Sequence, residues 1–108
     1  MINIMIYTDS NKQYKGFEIK GHAGYSKSGS DIVCAAVSVL SINTVNSIET
    51  FTSDEIIAVT NDNGSLKVKF KGTVSLESKL LIDSMILGLT DIMNDSDKKY
   101  LKISYKEV

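Results

Sequence analysis

Three side chains in one short stretch of this 108-residue chain have types and spacing that could do covalent chemistry together: His22, Asp31 and Cys34. The chain holds one histidine and one cysteine, so any imidazole–thiol pair is this one. A thiolate beside an imidazolium is a nucleophile ready at neutral pH, and the imidazole can take a proton from sulfur and return it to a leaving amine. Nucleophilic attack on a carbonyl, as in peptide-bond hydrolysis, is one reaction open to such a pair.

His22 lies twelve positions ahead of Cys34. The stretch Gly21 to Ser30 carries three glycines and three serines, a composition that favours neither strand nor helix. It reads as a flexible loop that swings the imidazole to the sulfur, opens to admit a peptide and closes over it. Gly21 and Gly24 are candidate substrate contacts there, while Tyr25 and Lys27 are solvated or touch substrate.

From Asp31 the spacing turns helical, with Val33, Val37, Leu40, Thr44 and Ile48 recurring at three and four residues. Asp31, or Ser30 before it, suits the N-cap. Cys34 then takes the third helical position, where the helix start favours an anion. Free N–H groups at Cys34 and Ala35 could hold the oxyanion of a tetrahedral intermediate. Two readings of Asp31 stay open: a cap, or a carboxylate that orients the His22 ring. The second requires its charge to lie nearer the imidazole than the sulfur, because a carboxylate beside the thiol opposes thiolate formation. Ser38, one turn beyond Cys34 on the same face, makes room or lines a substrate cleft. A lone cysteine in an apolar helix can also be only a small buried hydrophobe.

The elements that must position these groups follow from periodicity. Residues 2 to 9 alternate as a half-buried strand, Ser10 to Gln13 make a turn, and Tyr14 to Lys20 form a second strand with Phe17 and Ile19 inward. After the first helix fades near Phe51, strands run from Glu55 to Thr60 and from Leu66 to Lys71. Asn61-Asp62-Asn63-Gly64 is the hairpin turn between them. A second helix spans Leu76 to Asn94, capped by Ser75 with Glu77 in its first turn. Its apolar residues spread wider than one stripe, as on a helix that is sandwiched or covered by another subunit. Tyr100 to Tyr105 form a closing strand. The order β-β-α-β-β-α-β in one domain, residues 1–108, predicts an α+β fold: a mostly antiparallel sheet with two helices packed on one face.

Composition narrows the function. Hydrophobic residues make up 43% and charged residues 23% of the chain, the balance of an ordinary globular domain. A formal net charge of −1 argues against direct nucleic-acid binding. One cysteine excludes an internal disulfide. The start, Met1 to Tyr7, lacks the pattern of a signal peptide, and the apolar stretch Ile32 to Ile42 is too short to span a bilayer. A cytoplasmic protein without a membrane association is expected. One His, one Cys and scattered carboxylates fall short of a zinc set, and Gly21-His22-Ala23-Gly24 lacks the trailing residues of a phosphate loop. No metal and no cofactor are expected.

The segment Gly21-His22-Ala23-Gly24, then Gly29, then Asp31-Ile32-Val33-Cys34-Ala35-Ala36-Val37-Ser38 closely resembles the ribosomal-processing cysteine protease family (Prp, YsxB-like). That family has a Gly-His at a strand end, a short glycine-rich loop and an Asp-Ile-Val-Cys-Ala helix start. The likeness extends over the whole chain in length and segment order. It implies a cysteine endopeptidase that removes the N-terminal extension of a large-subunit ribosomal protein, with Cys34 and His22 as the catalytic pair. Asp31 belongs to the same motif, in catalysis or in holding the site. The resemblance also implies a homodimer, which would account for the apolar second helix. The competing readings are a non-catalytic ribosome assembly or binding protein with Cys34 structural, and a redox-sensing module with a reactive thiol.

Overall fold

The computed structural model describes residues 1–21 and 28–108, with side chains described from 31 onward in the second stretch. The chain order is β1 (Ile2–Thr8), β2 (Tyr14–Lys20), α1 (Ser28–Phe51), β3 (Ile56–Thr60), β4 (Leu66–Phe70), α2 (Leu76–Asp95) and β5 (Leu101–Glu107). The strands form one sheet in the order β3-β4-β2-β1-β5. Three pairings are antiparallel (β1–β2, β2–β4, β3–β4), and β5 lies parallel to β1. This is the mostly antiparallel sheet with two helices that the element order predicts.

Alternation along the strands decides which face is covered. Ile2, Ile4 and Ile6 of β1, Phe17 and Ile19 of β2, Leu66, Val68 and Phe70 of β4 and Leu101 of β5 are buried. They form one cluster with Val33, Val37, Val45 and Ile48 of α1 and with Ile82, Met85 and Leu89 of α2. Both helices therefore lie on the same face. They run antiparallel: Ile32 and Ala36 of α1 share a hollow with Ile92 and Asp95 of α2, while Thr52 just past α1 meets Ser78 near the start of α2.

α2 begins where the sequence places it. The Ser75 hydroxyl accepts from the Ser78 N–H at 3.2 Å, which satisfies one of the first-turn donors that lack intrahelical partners. Asp54, in the turn between α1 and β3, locks that cap by accepting from the Ser75 N–H at 2.9 Å and the Ser75 hydroxyl at 2.7 Å. Tyr14 of β2 donates to Asp83 of α2, which also accepts from Lys79 at 2.7 Å, so the first two turns of the helix are held at one end by the α1–β3 turn and at the other by the sheet.

Two expectations need correcting. α1 starts at Ser28, three residues ahead of Asp31, so Asp31 lies inside the first turn and is not the N-cap. Adding residues to an existing helix gains a hydrogen bond for each one fixed, whereas only nucleation is costly. The long body of α1 thus carries Ser28, Gly29 and Ser30 into helix despite the glycine. The second concerns apolar length: the stretch Asp31–Phe51 is long and apolar enough to cross a bilayer by length and composition, although Ile32 to Ile42 alone is too short. In this fold it is the core helix, with Val33, Val37, Val45 and Ile48 against the sheet.

Candidate active site

Cys34 is half-buried on α1 and packs against the edge of the core cluster. It is not sealed beneath aliphatic side chains, the arrangement that an inert filler would show. At about 100° per residue, Asp31 and Ser38 fall within about 60° of Cys34 on the helix circumference, and both are exposed. Thus Asp31, Cys34 and Ser38 form one flank of α1, with the sulfur nearest the sheet and the two polar groups toward solvent. Ala35 is also exposed, further round.

β2 leads, in chain order, to the histidine of the pair. Gly21, the residue after β2, has a φ of 90°, a conformation that side chains with a Cβ rarely adopt. A Cβ built there would lie 2.5 Å from the carbonyl oxygen of Met1. Glycine is therefore required to turn the chain past β1 at the point where His22 follows. His22 and Gly24, predicted as general base and substrate contact, lie outside the described residues, as do Tyr25 and Lys27.

The helix start alters the electrostatic reading. Counted from Ser28, Cys34 is the seventh residue of α1 and not the third, so it sits beyond the first turn, where the helix terminus acts on charge most strongly. The N–H groups of Cys34 and Ala35 likewise fall beyond the first four and belong to the helix's own hydrogen-bond ladder. They are not free to serve as oxyanion donors as the helix stands. Asp31 gains the position that Cys34 loses: a carboxylate in the first turn, favourable to the helix terminus.

A hollow of about 240 Å³ adjoins the start of α1, lined by Ile32, Val33 and Ala36 with Ile92, Asp95 and Ser96. It lies on the flank facing α2, roughly opposite the sulfur around the helix axis, so it is not where Cys34 would meet a substrate. Nothing in the linear sequence announces that α2 closes off that side, because the antiparallel packing of the helices is a long-range event. Among the described residues no three His, Cys, Asp or Glu side chains cluster so as to hold a metal ion.

A helix-on-sheet α+β domain with a half-exposed thiol near a helix start defines the class, and comparison with known proteins defines the family. Residues 1–102 match the family model described as Cysteine protease Prp, and the chain belongs to that family; it is a cysteine protease. The Ribosomal processing cysteine protease Prp of Bacillus subtilis is 30% identical over 100 residues, covering 88% of this chain and 89% of the relative. Two crystal structures of the essential ribosomal processing protease Prp from S. aureus are similar along 98% of this chain and 100% of theirs. The one with a covalently linked product peptide is 27% identical with a TM-score of 0.87, and the one with a substrate peptide is 25% identical with a TM-score of 0.88.

Proposed function

We propose that this cysteine protease acts in the cytoplasm on the N-terminal extension of a large-subunit ribosomal protein, with Cys34 as nucleophile and His22 as general base. The observation that carries the assignment of the nucleophile is the placement of the chain's one thiol, half-exposed on a flank of α1 whose outer positions are polar. The glycine turn at Gly21 sends the chain on into His22 from the end of β2. The relatives named above as ribosomal processing proteases support the substrate class.

In the proposed reaction the imidazole of His22 takes the Cys34 proton, and the sulfur attacks the scissile carbonyl carbon to give a tetrahedral oxyanion. Collapse breaks the C–N bond, the amine leaves with the proton from His22, and the acyl group remains on sulfur as a thioester. Water, deprotonated by His22, then releases the carboxylic acid and restores the thiol. A relative crystallised with a covalently linked product peptide supports a covalent step. Asp31, on the same flank, orients the imidazolium once the ring approaches, and Ser38 lines the path of the peptide.

The active form is a homodimer. Leu76, Leu80 and Leu87 are exposed on α2 at spacings of four and seven residues, and Ile32, Val39 and Ile42 are exposed on α1. Apolar stripes on both helices of one layer are the kind of surface that a second subunit covers. The test of the reaction is incubation with a peptide copying the ribosomal protein's N-terminus, read by mass spectrometry. Cleavage by the wild-type chain and none by Cys34→Ala or His22→Ala is expected. Cleavage by Cys34→Ala overturns the assignment. Sedimentation of Leu80→Glu beside the wild type tests the dimer, with a shift to monomer expected.

A further inference from the structure

The helices cover one face of the sheet, and among the described residues no element covers the other. Strand register identifies its side chains. Asn3, Met5 and Tyr7 point opposite to the buried isoleucines of β1, and their partners share that side: Lys20, Glu18 and Gly16 on β2, and Lys102, Ser104 and Lys106 on β5. Lys67 and Lys69 of β4 stand opposite Glu18 and Gly16. The register slips between Tyr7 and Thr8, which leaves Lys15 unpaired in a bulge. Lys15, Lys67, Lys69 and Lys106 then line a single hollow of about 390 Å³ with Tyr7 and Gly16. Gly16 leaves no room for a side chain there, since a Cβ would lie 2.2 Å from the Val68 carbonyl oxygen.

Six of the chain's twelve basic residues therefore stand on or beside this face: Lys15, Lys20, Lys67, Lys69, Lys102 and Lys106. Glu18 is the one carboxylate among the strand side chains pointing the same way. It is already engaged by Tyr7 at 3.1 Å and Lys20 at 3.6 Å. Among the described residues, no ion pair involves the four lysines of the hollow. The net charge of −1 thus conceals an uneven placement, with six lysines and one strand carboxylate on or beside the open sheet face.

We propose that the open sheet face is a docking surface for the sugar-phosphate backbone of single-stranded RNA. Lysines are mobile point charges that meet phosphates without fixed geometry. Neighbouring strands lie about 4.8 Å apart, so Lys69, Tyr7 and Lys106 span a track of roughly 14 Å across β4, β2, β1 and β5. A track of that length suits a polymer better than a single anion. Tyr7 and Met5 supply half-buried apolar surface in the middle of the lysines, on which a base can rest, as in other single-strand binders. Choosing RNA over other polyanions rests on the proposed ribosomal-protein substrate, since a protease of such a protein works beside RNA.

The test measures binding of fluorescein-labelled oligouridine to the full-length chain by anisotropy. Four phosphate contacts in a single strand give a log–log salt slope near −2.8, so affinity falls about 50-fold between about 50 and 200 mM salt. Lys67→Gln/Lys69→Gln halves the slope, leaving a fall of about 7-fold over that range. Lys98→Gln/Lys99→Gln, which removes the same charge beyond the end of α2, keeps the wild-type slope. Both variants keep cleavage of the free peptide, which separates failure of this surface from failure of the protease assignment. Absence of salt-dependent binding, or equal loss in the two variants, overturns the proposal. Displacement of the RNA by polyglutamate at equal charge concentration also overturns it, and assigns the face to acidic polypeptides.

Discussion

Replacing Gly21 with alanine tests whether the end of β2 sets the position of the catalytic base. The backbone there has a φ of 90°, and a left-handed conformation costs a residue with a Cβ about 1–2 kcal/mol. The new methyl would also lie 2.5 Å from the Met1 carbonyl oxygen, a backbone atom that moves only with β1, and overpacking of this kind adds about 1–3 kcal/mol. The sum is a destabilisation of about 2–5 kcal/mol. For a domain of this size the melting temperature falls by at least roughly 8 °C. Urea denaturation measures the loss, with Gly72→Ala as the control, because nothing lies within 4 Å of a Cβ at Gly72. At a temperature where both variants remain folded, Gly21→Ala also loses kcat/KM on the peptide substrate, since His22 is the next residue and inherits any shift. A Gly21→Ala chain as stable and as active as Gly72→Ala would refute the reasoning.

The half-exposed Cys34 reacts with iodoacetamide in the native protein near neutral pH, and His22→Ala slows that reaction; mass spectrometry of the modified peptide checks both. Ser75→Ala removes the α2 cap and lowers stability by about 1 kcal/mol, measured from the urea midpoint. Burial pushes the carboxyls of Asp54 and Asp83 up, but hydrogen bonds outweigh it and hold both below the ordinary value of 3.8. The bonds come from Ser78 and Ser75 to Asp54, and from Lys79 and Tyr14 to Asp83. Their contribution is present above pH 3.8 and is lost as pH falls below it, so Asp54→Asn flattens the acid limb of a stability-versus-pH curve. At the other extreme, burial and the bond to Asp83 raise the Tyr14 phenol above its ordinary 10.0. That stabilisation is present below pH 10 and lost as pH rises beyond it, and Tyr14→Phe removes this alkaline loss.

Much of the fold is legible in particular residues. Ile2, Ile4 and Ile6 alternate and are all buried, Ser75 caps α2, and Asn61-Asp62-Asn63-Gly64 makes the β3–β4 turn, with Gly64 at a φ of 82°. These are local signals, each satisfied within a few residues. The start of α1 is misread for the same reason: Asp31 has the local chemistry of a cap, but helix propagation carries the start back to Ser28. The thiol's placement follows from period alone, whereas its distance from the helix start, and with it the fate of the Cys34 and Ala35 N–H groups, does not. The uneven placement of lysines on the sheet is invisible to a count of lysines and acids. It depends on which strands neighbour one another, and β2 pairing with β4 brings Lys67 and Lys69 beside Gly16.

The parallel pairing of β5 with β1 joins Ile2 to Leu101 and Thr8 to Glu107, contacts separated by nearly the whole length of the chain. Loop-closure entropy makes such contacts late and slow to form. During synthesis β1 therefore keeps one bare edge until residues 101–107 have emerged from the ribosome. Until then the unsatisfied edge is open to pairing with a neighbouring nascent chain. Shortening the C-terminal strand is accordingly expected to yield aggregates from a chain that still possesses every catalytic residue.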